Sequence, residues 1–255
     1  MLQPLNIIKV GGAVVEDDAS LTDLLHTFAL LPGSKVLVHG GGRAATQVAA
    51  KMGIESRMVE GRRITNADML RVVTMVYGGL VNKNIVARLQ ALGVNALGLT
   101  GADLGYMLSE KRPIGNIDYG FVGDVKKTDA AFLTQLIKSG VVPVLAPLTH
   151  DGKGSLLNTN ADTIASEAAK ALSKSFDVTL TYCLEKGGVL LDTDDEGSVI
   201  ARLSRDQFRR LVADGIIAEG MIPKITNAFN ALDNGVKRVV ITHAKSFEGG
   251  TEIVG

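Results

Sequence analysis

The sequence predicts an α/β protein, a three-layer α/β/α sandwich in which helices cover both faces of a mainly parallel central sheet. Three observations lead there. Short β-branched runs alternate with helical periods along the chain, the rhythm of βαβ units. The runs are short and mainly apolar, as expected of strands in a parallel sheet covered on both faces. The first two, at 6–10 and 35–39, end in glycines, which punctuate a strand turning into a helix and let backbone N–H groups approach a ligand.

Taken in order, Ile7, Ile8, Lys9 and Val10 run into Gly11 and Gly12, and Val36, Leu37, Val38 and His39 run into Gly40, Gly41 and Gly42. A helix is predicted from Arg43, so the second glycine turn sits where a helix N-terminus offers orphan donors and a positive dipole end. The segment 66–92 has a helical period, carried by Met69, Leu70, Val73, Val76, Leu80 and Val81 and broken at Gly78 and Gly79. A strand follows at 94–99, then hairpins within 101–127, a helix at 130–139 and a strand at 141–146. The turn-forming run Asp151, Gly152, Lys153, Gly154, Ser155 is read as a boundary between an N-terminal lobe, 1–150, and a C-terminal lobe, 151–255, of one domain. Beyond it come a helix at 161–172, strands at 177–182 and 189–191, helices at 205–213 and 222–232, a strand at 238–241 and a last strand at 251–254.

Composition excludes several classes. Of 255 residues 46% are hydrophobic, and 27 basic residues balance 27 acidic ones, so no net field attracts nucleic acid or an anionic membrane. Tryptophan is absent and aromatics are only 4%, which leaves no stacking platform for single strands. The single Cys183 has no intrachain partner, the N-terminus lacks signal-peptide character and no apolar run reaches membrane length. A cytoplasmic protein is the expectation.

Motif searches narrow the chemistry. No Walker-type loop, protein-kinase signature or nucleophile elbow is present. Gly40, Gly42 and Ala45 satisfy the spacing of a dinucleotide fingerprint, but Glu60, at the right distance, does not end an apolar strand. The histidines at 26, 39, 150 and 243 share no metal spacing with one another or with Cys183. His39 is expected to make a turn-stabilising hydrogen bond and Cys183 to be buried and inert. What remains is cationic and amide chemistry. Asn158, Asn160 and Asp162 open a helix that needs only one cap. Lys224 sits one residue after Pro223 at another helix start, against the dipole, which points to an anionic partner.

Five segments in order, I-I-K-V-G-G, V-H-G-G-G, G-R-R-I-T, N-T-N-A-D and G-M-I-P-K, span nearly the whole chain. Together they resemble the amino-acid kinase family, within it the members that phosphorylate N-acetyl-L-glutamate. The resemblance implies ATP as phosphoryl donor, with Mg2+ held mainly by its phosphates, and a small-molecule carboxylate as acceptor. It implies that Lys9 and Lys224 contact the transferring phosphoryl group and that Asp162 holds both lysines. Gly41, Gly42, Arg63 and Asn158 would bind the acylglutamate, and Gly11 and Gly12 would lie under the phosphates. Nucleotide contacts would come from Cys183, Leu184, Glu185, Lys186 and Gly187, and from Ile216, Ile217 and Ala218.

Three departures stand out. The family's usual Leu-Thr-Asp-Val-x-Gly nucleotide loop is replaced by the run from Thr181 to Gly188, with added residues, and Glu219 replaces a residue that is commonly small or Asp. The usual Gly-Leu-Arg reads Gly61, Arg62, Arg63, which adds a cation and leaves a succinyl in place of an acetyl group open. Arginine-inhibited hexamers of the family carry an N-terminal helix ahead of the first strand, and about five residues precede Asn6 here. A homodimer insensitive to arginine is therefore expected. A non-catalytic nucleotide sensor is the alternative of a different class.

Overall fold

A computed structural model describes residues 2–59, 61–217, 220–247 and 249–255. The first half of the chain runs β1 (Gln3–Val10), α1 (Gly12–Glu16), α2 (Asp18–Leu30), β2 (Ser34–His39), α3 (Gly42–Lys51) and a short hairpin of β3 (Met58–Val59) and β4 (Arg62–Arg63). Next come α4 (Ala67–Val73), a π-helical segment (Thr74–Val81), α5 (Asn82–Ala91), β5 (Ala96–Leu99), β6 (Met107–Lys111), β7 (Gly123–Thr128), α6 (Ala130–Lys138) and β8 (Val142–Leu145). The rest is β9 (Leu148–His150), β10 (Leu156–Asn158), α7 (Ala161–Leu172), β11 (Phe176–Leu184), β12 (Arg202–Ser204), α8 (Arg205–Ala213), α9 (Ile222–Asp233), β13 (Arg238–His243) and β14 (Thr251–Val254).

Eight strands form the central sheet in the order β12-β14-β13-β11-β1-β2-β8-β5, parallel throughout except where β14 meets β13. The alternation of side chains along β1 divides the interior in two. Leu5 and Ile7 point into a core shared with α6 to α9, while Ile8 and Val10 point into another shared with α1 to α5. That is the three-layer sandwich expected from the sequence. Lys9 continues the Leu5–Ile7 face, so strand periodicity alone aims it at α7 and α9. A second sheet, β10-β9-β6-β7, lies outside the main one. The turn from Asp151 to Ser155 joins β9 to β10 within it.

Local chemistry sets the helix starts. Asp17 accepts from Ser20 N, Asn66 from Met69 N, Asp129 from Ala131 N and Ser204 from Gln207 N, each an N-cap contributing about 1 kcal/mol. In α2, Leu21, Leu24, Leu25 and Phe28 are buried at helical spacing.

Two expectations need correction. The helical segment at 66–92 is not broken at Gly78 and Gly79; the backbone runs on as a π-helix, which absorbs one extra residue per turn while keeping its hydrogen bonds. The strand expected at 189–191 is a single antiparallel bridge between Leu190 and Val199, because the loop between them turns back on itself through Asp192 and Ser198. The helices within 12–30 and the hairpin at 58–63 have no counterpart in the sequence reading.

Candidate active site

The sheet and two helix N-termini converge on one cluster of charge. Lys9, near the C-terminal end of β1, meets Asp162 in the first turn of α7, with Nζ 2.6 Å from Oδ1. Lys224, in the first turn of α9, places its Nζ 2.5 Å from Oδ2 of the same carboxylate. Lys9 and Asp162 are both 5% exposed. Asp162 does not cap its helix; Asn160 does, its side chain accepting from Asp162 N at 2.7 Å. The carboxylate is therefore free to bridge two cations. Burial would raise the Asp162 pKa, but Lys9 and Lys224 outweigh it and bring it down to about 2. Lys9 is lowered, first by burial and also by Lys224, while Asp162 opposes the shift. A carboxylate held this acidic cannot serve as a general base near neutral pH. With both lysines protonated, the cluster has one positive charge in excess, presented where two helix dipoles also point their positive ends.

The two glycine turns abut beside this cluster. Gly40 N donates to Val10 O at 3.1 Å and Gly11 N to Cys183 O at 3.3 Å. A Cβ on Gly12 would lie 3.5 Å from Gly42 N. Among the described residues, the N–H groups of Gly41 and Gly42 have no hydrogen-bond partner. Gly41 has a φ of +152° and carries the Tyr77 ring 3.2 Å from where a Cβ would stand, so no other residue fits there.

A cavity of about 320 Å³ opens over the turns and the charged cluster, within the range of small-molecule sites. Arg63, on β4, lines it with its guanidinium held by Gly42 O (2.7 Å), Thr46 Oγ1 (2.9 Å) and Ser56 Oγ. Asn158, at the end of β10, lines it too, and its Nδ2 donates to Thr65 Oγ1 at 2.9 Å. Seven of the expected residues, Lys9, Gly41, Gly42, Arg63, Asn158, Asp162 and Lys224, thus face one cavity.

Residues 4–243 match the model of the Amino acid kinase family. The chain belongs to that family. It is 63% identical to an acetylglutamate kinase of Bacteroides thetaiotaomicron over 99% of each chain, and 63% identical to one of Parabacteroides distasonis over 98% of each. Among solved structures it superposes on a Streptococcus mutans protein with a TM-score of 0.83 at 27% identity, covering 98% of both chains. For a member of the amino acid kinase family the sandwich is the expected architecture, and the family implies ATP as the donor, usually with Mg2+.

The residues expected around the nucleotide are spread over a different region. Cys183 and Leu184 end β11, and Glu185, Lys186 and Gly187 form the turn beyond it. Cys183 is fully buried, with burial pushing its thiol up to about 12, so it stays protonated and offers only backbone atoms. Glu185 reaches across to Arg43, 4.0 Å away, and Lys186 donates to Thr193 O. Ile216 and Ile217 follow α8, with Ile217 in the core. Ala218, Glu219 and Glu60 lie outside the described residues.

Several site residues escaped the sequence reading. Thr46 and Ser56 hold Arg63, Glu16 accepts from Ala44 N at the start of α3 (2.6 Å), and Tyr77 covers Gly41. Arg112 and Asp124 pair across β6 and β7 at the cavity wall, Nη2 to Oδ1 at 2.5 Å and Nε to Oδ2 at 3.1 Å. Only Tyr77 had a sequence signal, the glycine pair that follows it.

Proposed function

We propose that this protein transfers the γ-phosphoryl group of ATP to the side-chain carboxylate of N-acetyl-L-glutamate, giving N-acetyl-L-glutamyl 5-phosphate in arginine biosynthesis. The observation that carries the reading is the Lys9–Asp162–Lys224 cluster at the base of a cavity whose walls supply Arg63 and Asn158. Relatives at 61–63% identity over nearly the full chain bear the name acetylglutamate kinase.

The acceptor carboxylate is ionised at neutral pH and needs no base. The difficulty is bringing two anions together. Arg63 and Asn158 seat the α-carboxylate and the amide, and Gly41 and Gly42 offer N–H groups to the acceptor. A carboxylate oxygen bonds to phosphorus as the bond to the β,γ-bridging oxygen breaks, and ADP leaves. Lys9 and Lys224 neutralise the charge spread over the moving group, and Asp162 keeps both at a fixed distance. Mg2+ would add charge neutralisation on the nucleotide. Asp162 is committed to the lysines, and the ion is read as held mainly by the ATP phosphates. In this account the N-terminal lobe, 1–150, carries most of the acceptor site and the C-terminal lobe, 151–255, the ATP site, with Gly11, Gly12, Cys183 to Gly187, and Ile216 to Ala218 beside the nucleotide. Among the described residues no helix is long and apolar enough to cross a membrane; a cytoplasmic location is part of the proposed reading.

Hydroxylamine trapping of the acyl phosphate, run with N-acetylglutamate, N-succinylglutamate, glutamate and aspartate, tests the assignment. Hydroxamate from the acylated glutamates alone is expected; preference for free glutamate or aspartate would overturn it.

A second acyl group is favoured by one observation. Arg62 lines the same cavity as Arg63, and its side chain is exposed there. Toward a succinyl carboxylate it would be a charge-assisted donor worth roughly 1–3 kcal/mol. Arg62→Leu is then expected to shift kcat/KM toward the acetyl substrate by about that amount. Unchanged specificity constants for both substrates would show that Arg62 takes no part.

The homodimer remains our reading of the assembly. Leu97 on the edge strand β5 and Leu80 and Met75 on the π-helical segment are 40%, 53% and 49% exposed, apolar surface of the kind a two-fold partner covers. Light scattering should give twice the 26.8 kDa chain mass, with activity unmoved by millimolar arginine; a hexamer or inhibition by arginine would contradict this.

A further inference from the structure

His39 ends β2 directly before the glycine turn and is fully buried. Its Nδ1 lies 2.7 Å from Gly40 O and its Nε2 3.1 Å from Asn82 Nδ2. The protonation of the ring follows from the neighbours of Asn82. Nδ2 also donates to Val144 O at 3.0 Å, while Oδ1 accepts from Lys83 Nζ at 3.2 Å. Reversing the amide would set oxygen against the Val144 carbonyl and N–H groups against an ammonium, so the orientation is fixed. One Asn82 hydrogen therefore points at Nε2, which must be a bare acceptor. The ring proton is left on Nδ1, donated to Gly40 O. Burial holds the His39 pKa at about 4, so the ring is neutral in the working range.

A second observation supports a built arrangement. A Cβ at Gly98, in β5, would stand 1.8 Å from Asn82 Oδ1 and 2.7 Å from Lys83 Nζ. The strand has room for this pair only because that residue is glycine. Lys83 also donates to the Gly98 carbonyl at 3.1 Å.

In a trans peptide the carbonyl and the following N–H point in opposite directions. The Gly40 carbonyl is drawn back toward His39, so the Gly41 N–H is turned the other way, away from His39, in a turn whose glycines line the cavity together with Lys9. We propose that His39, with its tautomer set by Asn82, is a positioning residue for phosphoryl transfer: it locks the Gly40–Gly41 peptide plane so that the Gly41 amide stays aimed at the reacting groups. With the opposite tautomer, lone pairs of Nδ1 and Gly40 O would face each other and the plane would turn. This inference rests on the phosphoryl-transfer reading above.

The test compares three substitutions that differ in which ring nitrogen they imitate. Asparagine reaches the Nδ1 position with a donor, glutamine reaches the Nε2 position, and leucine keeps the bulk with neither. His39→Leu and His39→Gln are expected to lower kcat about 10- to 100-fold, toward the loss seen when one aimed donor is removed, with KM for ATP and acylglutamate within threefold. His39→Asn should recover most of the rate. A kcat within twofold of wild type in His39→Leu, or His39→Asn no more active than His39→Gln, would overturn the proposal; the second comparison holds even if the leucine variant does not fold. Nitrogen-15 spectra of histidine-labelled wild type should show His39 protonated on Nδ1 across roughly pH 6–8, and a proton on Nε2 would overturn it as well. If wild type formed no acyl phosphate, the assigned reaction would fail while the tautomer result stood.

Discussion

Replacing Lys9 or Lys224 with methionine is expected to lower turnover on the order of 100-fold or more. Each ammonium is proposed to meet charge that grows on the moving phosphoryl group, and no other side chain of the cluster can take its place. The stability effect should run the other way for Lys9. The cluster holds two cations and one anion, so removing the deeply buried cation leaves Asp162 and Lys224 as a balanced pair. Burying an ammonium is costly even when paired, and methionine fills a similar space without it. Lys9→Met should therefore melt at or above the wild-type temperature while nearly inactive, the pattern of a group kept for function. Near-normal turnover in either variant would remove the lysines from the mechanism. A collapse of the Lys9→Met fold would make that lysine structural.

The second large effect is expected from Asp162→Asn. The side chain keeps its size, and the cap contributed by Asn160 is untouched, but two close ammonium groups lose the one anion that pairs with them among the described residues. Lys9, already lowered by burial, should deprotonate more readily, so activity should fall on the order of 100-fold or more. Stability should fall by a few kcal/mol near neutral pH, as when one partner of a buried pair is removed. The pH dependence follows from the folded-state pKa of about 2 against about 3.9 in an unfolded chain. The native state favours the ionised form, so the stabilisation is fully present above about pH 4 and is lost as pH falls toward 2. The gap in melting temperature between wild type and Asp162→Asn should therefore narrow over that acid range. A constant gap would mean that the charge of Asp162 is not what stabilises the cluster.

Much of this site was legible because it is built from element ends. The glycines after β1 and β2, the bounds of α7 and the lysine behind Pro223 are local signals, and the structure places them as periodicity and capping require. That Lys9 faces Asp162 and Lys224 follows from strand alternation once the sheet order is known, but no spacing rule gives the sheet order. The π-helical segment was misread because Gly78 and Gly79 signal a break, whereas neighbouring buried residues such as Val76, Tyr77 and Val81 hold the helix together through them. The helix α2 was passed over although Leu21, Leu24, Leu25 and Phe28 mark its buried face. A hairpin within 101–127 was legible, but the register that sets Arg112 beside Asp124 across the long β6–β7 connection was not.

The central claim is that the acceptor's own carboxylate attacks phosphorus with no base and no water in between. Labelling both side-chain carboxylate oxygens of N-acetyl-L-glutamate with oxygen-18, then cleaving the product with hydroxylamine, reads that step directly. Hydroxylamine attacks the acyl carbon, so the oxygen that bridged carbon and phosphorus leaves with phosphate. The account expects one labelled oxygen in each phosphate released and one hydroxamate for each ADP formed. Unlabelled phosphate accompanying ADP would show that water is the acceptor and would contradict it.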